Sequence, residues 1–299
     1  MAIDMHTGNN RRRIAVAGAT GRVGAALLRG LAEDPVDVVA LTRGHQTSLR
    51  TTTTDVAVVN FDDPSTLAKA LRGADRFFLA HGTSDRQVSN EIALIDAAVA
   101  AGVTHIVKLS AMGPPTELHP FDWHMRIEAH LATCDIGYTV LRPGSFMTVL
   151  ARAAAPVASG SWGGAAGDGR VNLVDVQDVA DVARASLLET RFADSQRAYH
   201  LTGPAAVSMP EVADELSRLL GRAVAYQHRT VSEHRDALAA SGVDGMVADL
   251  LLGLDRLFRE SALAETTSTV FDLTGKGPVS VADWLRVNLT AFSGSSERG

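Results

Sequence analysis

Two periodicities alternate along the chain. Short runs dominated by Val, Ile, Leu and Ala are followed by stretches whose apolar residues recur every three or four positions. Runs of the first kind at 13–18 (RIAVAG), 36–43, 55–61, 75–82, 104–113 and 137–146 predict strands. Amphipathic stretches at 21–34, 65–74, 89–102 and 125–135 predict the helices between them. Such regular βα alternation predicts an α/β fold, a doubly wound parallel sheet with helices on both faces. Beyond 150 the pattern loosens. Residues 151–172, rich in Gly and Ala, read as a long surface excursion. A helix is expected over 174–190 and a further strand over 197–204. The next helix, 208–222, opens with Ser208, Pro210 and Glu211, a capping-box arrangement. Residues 229–264 read as helical, and 279–292 as a last helix. No internal repeat is visible.

Charge and composition narrow the function classes. The 299 residues carry a formal net charge of −6 and no long basic block, which argues against nucleic-acid binding, since that needs a clustered basic face. Arg11, Arg12 and Arg13 form the one short basic run, expected as a solvated flank. A single cysteine, Cys134, excludes a disulfide framework and a Cys-rich zinc site. His119 and His124 lack convincing partners, so no metal is expected. No apolar run reaches membrane-spanning length, and the first ten residues lack a secretory apolar segment. The expectation is a cytoplasmic protein, monomer or homodimer, with no membrane association. The tails 1–10 and 293–299 are expected to be disordered.

Chemistry enters at AGATGRVG (17–24), between the first predicted strand and first predicted helix. In that context a glycine pattern is informative. Gly18 permits the tight turn, Gly21 lets a pyrophosphate approach the backbone, and Gly24 lets helix pack on strand. Thr20, Arg22 and Val23 complete the loop, whose helix-start N–H groups favour an anion. The second strand ends in ALTRGH, with Arg43 and His45 and no acid. A carboxylate there would hold a ribose 2′-hydroxyl; a guanidinium suits a 2′-phosphate. NADP(H) is therefore expected in preference to NAD(H).

The GxxGxxG spacing, with NFDDPSTLAKAL (60–71), IVKLSAMG (106–113), IEAHLATCDIGYTVLRPGSFM (127–147), VDVQDVADVA (174–183) and YHLTGP (199–204), resembles the extended and atypical short-chain dehydrogenases/reductases, in their NmrA-like branch. The resemblance covers residues 13 to 225. It implies a Rossmann domain over 11–150 and a smaller, mostly helical substrate region over 151–292, into which returning Rossmann elements (174–204) are interleaved. It places Asp62 near the adenine, and Ala80, His81 and Gly82 where the chain passes the cofactor ribose. It also matches Ser110 to the family's active-site serine.

One departure stands out. Active members carry a Tyr, a Lys four residues on, and a Glu four further. Anchored on Glu128, those positions hold Pro120 and His124. The usual proton relay is absent, and His124 becomes the candidate donor, with Ser110 as partner of the carbonyl. Pro143 and Phe146, ending the sixth predicted strand, are expected to wall the nicotinamide. Met112, Trp123, Met147 and Trp162 are expected to line an apolar pocket for a flat aromatic substrate. The function expected is NADPH-dependent reduction of an aromatic, quinone or polyketide-type carbonyl. The rival is a dinucleotide-binding redox sensor without turnover, favoured by loss of the Tyr/Lys pair.

Overall fold

The computed structural model describes residues 11–113 and 121–293. The chain runs β1 (Arg12–Ala17), α1 (Arg22–Leu31), β2 (Val36–Thr42), β3 (Thr54–Val58), α2 (Pro64–Leu71), β4 (Arg76–Leu79), α3 (Gln87–Ala100), β5 (His105–Leu109), α4 (Phe121–Leu131) and β6 (Gly137–Pro143). With β10 (Gln196–Leu201) these strands form one seven-stranded sheet in the order β10-β6-β5-β4-β1-β2-β3. The pairings of β1 with β2 and β4, β2 with β3, and β4 with β5 are parallel. Ile14, Ala15 and Val16 of β1 are fully buried, as a strand covered on both faces requires. The order reverses beside β1, where the chain goes to β2 and β3 on one side and to β4 on the other. Loops leaving the carboxyl ends of β1, β2, β3 and β4 therefore lie next to one another.

Local chemistry sets the helix limits. Asp63 caps α2 by accepting from the Ser65 amide (3.1 Å), with Pro64 in the first turn. The expected capping box opens α7 (Met209–Leu220): Ser208 Oγ accepts from the Glu211 amide (3.3 Å), and Glu211 accepts from the Ser208 amide (2.9 Å). Gly221 ends that helix at φ +66°, left-handed backbone that favours glycine.

Two compact units divide the chain. One is Met1–Lys108 with Ala129–Thr139 and Ala183–Arg197; the other is Leu109–Glu128, Val140–Val182 and Ala198–Gly299. Inside the first, Lys108 Nζ lies 2.7 Å from Glu91 Oε2, both side chains fully buried, and Gln87 donates to Glu91 Oε1 (2.9 Å). This pair ties α3 to β5. A buried charge pair adds little net stability, but leaving either partner alone is costly.

The second unit corrects an expectation. Residues 151–172 are not a surface excursion. They form α5 (Ala154–Ala158), β8 (Gly163–Gly164) and the start of β9 (Arg170–Val174). Leu150, Val157, Trp162, Ala166 and Val171 enter the unit's apolar core. The composition misleads because the glycines serve close approach: a Cβ on Gly169 would lie 2.1 Å from the Phe258 carbonyl, and one on Gly163 2.4 Å from that of Gln227. β9 lies between β7 (Ser145–Phe146) and β11 (Ala206–Ser208) in a three-stranded sheet, and β8 pairs with β12 (Gln227–His228). The helical run expected over 229–264 is two helices, α8 (Val231–Ala240) and α9 (Gly245–Arg259). They part where Gly242 and Gly245 adopt φ +75° and +54°. The helix expected over 174–190 is α6 (Val176–Leu188), α10 (Thr269–Thr274) is a short helix, and the expected last helix is α11 (Val281–Val287) followed by a 3-10 turn. Among the described residues no helix is long and apolar enough to cross a membrane. The tail expectations lie outside the described residues, apart from Ser293.

Candidate functional site

In the first unit, the β1–α1 loop is built so that nothing fills it. Gly18 has φ +72°, and a Cβ there would lie 2.8 Å from the Ala80 carbonyl. A Cβ on Gly24 would lie 2.2 Å from the Gly18 carbonyl, and one on Gly21 3.1 Å from the same oxygen. The Gly21 amide closes the turn onto Gly18 O (2.9 Å). α1 then starts without a side-chain cap. The first-turn amides of Arg22, Val23 and Gly24 have no intrahelical acceptor by helix geometry. Thr20, Gly21 and Arg22 are exposed, whereas Val23 is buried and packs the helix down. A row of backbone amides at a helix start, on a turn so tight that Gly18 and Gly24 cannot carry a Cβ, fits a diphosphate.

The neighbouring loops bring the other first-unit candidates to the same sheet end. Arg43 follows β2 and is exposed. Asp62, after β3, is exposed and paired with Arg86 (2.7 Å), a partner the sequence did not suggest. Ala80, His81 and Gly82 follow β4. His81 has both ring nitrogens engaged: Nδ1 donates to the Gly82 carbonyl (2.6 Å), and Asn90 Nδ2 donates to Nε2 (3.0 Å). The network places its proton on Nδ1 and fixes the ring, edge-on to Phe61. His81 is thus held in place through both ring nitrogens. Asn90 and Arg86 were missed because their partners lie nine and 24 residues away, with no motif spacing.

In the second unit, Ser110 follows β5 and is buried. Its hydroxyl donates to Glu128 Oε1, and Arg142 clamps the other carboxylate oxygen through Nη2 and through Nε (3.1 Å). Glu128 therefore accepts the Ser110 hydroxyl hydrogen bond, which leaves the lone pairs of the serine oxygen to act as acceptor. The segment PFDWHMRIEAHL resolves by helical spacing. Trp123, Ile127 and Leu131 form the buried stripe of α4, whereas His124 lies one turn before Glu128 on the adjacent stripe, half-buried. Pro120 and His119 lie outside the described residues.

Pro143 is buried and Phe146 half-buried. Of the expected pocket wall, Met112, Met147 and Trp162 all belong to the second unit's apolar core. Met147 is fully buried and Trp123 7% exposed, so those two side chains pack more than they present. Trp162 lines a cavity of about 640 Å³ within this unit. Its polar lining includes Tyr226, His234 and Asp255. None of the three was singled out by the sequence, since they are scattered over thirty positions that only the α8–α9 packing gathers. Elsewhere, Asp96, His130 and Cys134 bring possible ligand atoms together. His130 Nε2 meets Asp96 (2.7 Å), while burial and then Asp96 push the Cys134 thiol up and it donates to the His130 carbonyl (3.5 Å). That trio reads as a histidine–carboxylate hydrogen bond beside an inert thiol.

Comparison with known proteins agrees with this architecture. The model of the NmrA-like family matches residues 10–269. The NAD(P)H azoreductase of Xenophilus azovorans is 31% identical over 93% of this chain and 99% of its own. The (4-alkanoyl-5-oxo-2,5-dihydrofuran-3-yl)methyl phosphate reductase of Streptomyces griseus is 34% identical over 94% and 99%. The NADPH-dependent quinone oxidoreductase of Escherichia coli, solved with NADPH, superposes with a TM-score of 0.85 at 26% identity, covering 92% of this chain and 99% of that one. Fold, glycine cradle and full-length relatives agree: the chain belongs to the NmrA-like family.

Proposed function

We propose that the protein is an NADPH-dependent oxidoreductase that reduces an aromatic or quinone-type carbonyl. The observation that carries this is the β1–α1 cradle, three glycines kept bare by backbone contacts at an uncapped helix start. Full-length relatives named as reductases, one of them an NAD(P)H azoreductase, support turnover rather than sensing. Arg43 supplies the charge for a 2′-phosphate, and the amides of residues 22–24 receive the diphosphate. Bound at this site, the reduced nicotinamide supplies a hydride.

The chain's own groups handle the remaining proton. With its hydroxyl hydrogen committed to Glu128, Ser110 accepts a hydrogen bond from a substrate or product hydroxyl. Arg142 clamps the Glu128 carboxyl in place for that role. His124 holds the proton that goes to the carbonyl oxygen. A quinone makes a small demand on this donor, because its reduced form is a stabilised phenolate.

The test is NADPH oxidation against a panel of simple quinones and hydroxylated aromatic ketones, with NADH in parallel. Turnover with NADPH preferred is expected; tight NADPH binding without turnover across the panel would favour a sensor. His124→Ala is expected to lower kcat about 100-fold with little change in KM, the range of a lost general acid. An unchanged kcat would make His124 structural.

A further inference from the structure

The cavity of the second unit has a polar end that its packing does not explain. Its walls are mainly apolar, with Val149, Leu150, Trp162, Leu238, Leu254 and Phe258 among them. A volume of about 640 Å³ lies within the range of small-molecule sites. At one place three titratable side chains meet. Asp255 Oδ2 accepts from the Ala165 amide (2.7 Å) and faces His234 Nε2 (3.4 Å). Tyr226 Oη accepts from the Ala166 amide (3.3 Å) and packs edge-on against Trp162 (5.2 Å). Gly164 makes room for them: a Cβ there would lie 2.6 Å from Tyr226 Oη and 3.1 Å from Asp255 Oδ2. His234 and Asp255 are only 14% and 17% exposed, and the buried Nδ1 of His234 has no hydrogen-bond partner among the described residues. Buried polar groups without full partners are costly, and a functional site is a common reason for keeping them.

The surroundings select an uncharged ligand. An anion would face the Asp255 carboxyl in an apolar setting. A cation would face Arg152 and Arg229, both in the lining; the Arg229 guanidinium already binds the carbonyls of Ser161 and Gly163. Burial acts in the same sense: it pushes the Tyr226 phenol and the Asp255 carboxyl up and the His234 imidazole down, each toward its neutral form. Tyr226 keeps its hydroxyl proton as a donor, because the Ala166 amide uses only a lone pair.

We propose that this cavity binds a flat, neutral, hydroxylated aromatic molecule, its rings against Trp162 and Phe258 and its oxygen at Tyr226, Asp255 and His234. Binding stands on the cavity alone. That the same molecule is the one reduced rests on the reductase reading.

Binding is measured by calorimetry on the full chain with three naphthalenes of one substitution pattern: the diol, its dimethyl ether and the disulfonate. The diol is expected to bind about fivefold to tenfold tighter than the ether, the value of one or two neutral hydrogen bonds. The disulfonate is expected not to bind. Tyr226→Phe should remove most of the diol's advantage over the ether. Ala237→Trp, which fills the cavity, should abolish binding of both, while NADPH affinity, measured in every variant, stays unchanged and reports an intact fold. Disulfonate binding as tight as the diol's, diol binding unaffected by Ala237→Trp, or no binding of any probe would each overturn the proposal. A hydroxylated naphthoquinone separates the two readings. Turnover that survives Ala237→Trp while diol binding is lost keeps the reductase and refutes the cavity as its substrate site. Diol binding with no turnover of any quinone keeps the cavity and refutes the reductase.

Discussion

The glycine cradle of the first unit and the cavity of the second both depend on missing Cβ atoms, for opposite ends. In the cradle, Gly18 and Gly24 keep backbone near backbone, so that the amides themselves form the recognising surface. In the cavity, Gly164 admits side-chain ends, the Tyr226 phenol and the Asp255 carboxyl, which form it instead. A backbone site reads charge and shape that many cofactor users share. A side-chain site can be rewritten one residue at a time. The difference teaches where generality and specificity are kept in this molecule, and it can be broken at several points.

The largest effect is expected from Gly24→Val. Its Cβ would fall 2.2 Å from the Gly18 carbonyl, and neither backbone can yield. Loss of more than about 4 kcal/mol of stability, read by denaturant unfolding, is expected together with loss of NADPH binding. A folded variant that still binds NADPH would show that the cradle tolerates side chains after all.

Acid should separate the two units. His105, on β5 in the first unit, is fully buried; burial, and then the Arg76 charge, lower its pKa to about 4. The unfolded chain takes up the proton first, so stability is complete above pH ~6.5 and falls as the pH drops toward 4, by about 3 kcal/mol. Asp178 in the second unit behaves in reverse. Burial raises its carboxyl to about 6, against the Val279 amide that donates to it (2.9 Å). Its contribution is present at low pH and lost as the pH rises from about 4 through 6. Hydrogen exchange at pH 4.5 and 7 should show the first unit loosening in acid and the second tightening. His105→Gln should flatten the first response and Asp178→Asn the second; parallel responses in both units would contradict the assignment.

Smaller effects bear on specificity. Arg43→Ala is expected to raise the KM for NADPH about 10- to 100-fold while sparing NADH, the range of a lost charged hydrogen bond. Equal loss with both would count against a 2′-phosphate contact. Gly164→Ala is the counterpart of Gly24→Val. Its Cβ meets only side-chain ends, which can shift, so about 1 kcal/mol of stability or less and a few-fold loss of diol affinity are expected, with NADPH binding untouched.

The first unit could be read from the chain almost element by element, because each step there is local. A buried parallel strand is a continuous apolar run, a helix on it has a stripe of period 3.6, and a phosphate loop needs its glycines within eight residues. The sequence alone therefore determined the Rossmann sheet, the AGATGRVG loop, the place of Arg43 after the second strand, the Ser208–Glu211 cap and the missing Tyr/Lys pair at Pro120 and His124. Only the tertiary structure decided that Ser110 donates its hydrogen bond to Glu128, that His81 is held on both nitrogens, and that residues 151–172 are core rather than surface. It alone brought Tyr226, His234 and Asp255 to one cavity. Those features rest on contacts between residues far apart in the chain, and a hydrogen bond or a close backbone approach made across such a distance leaves no period and no spacing for a sequence to show.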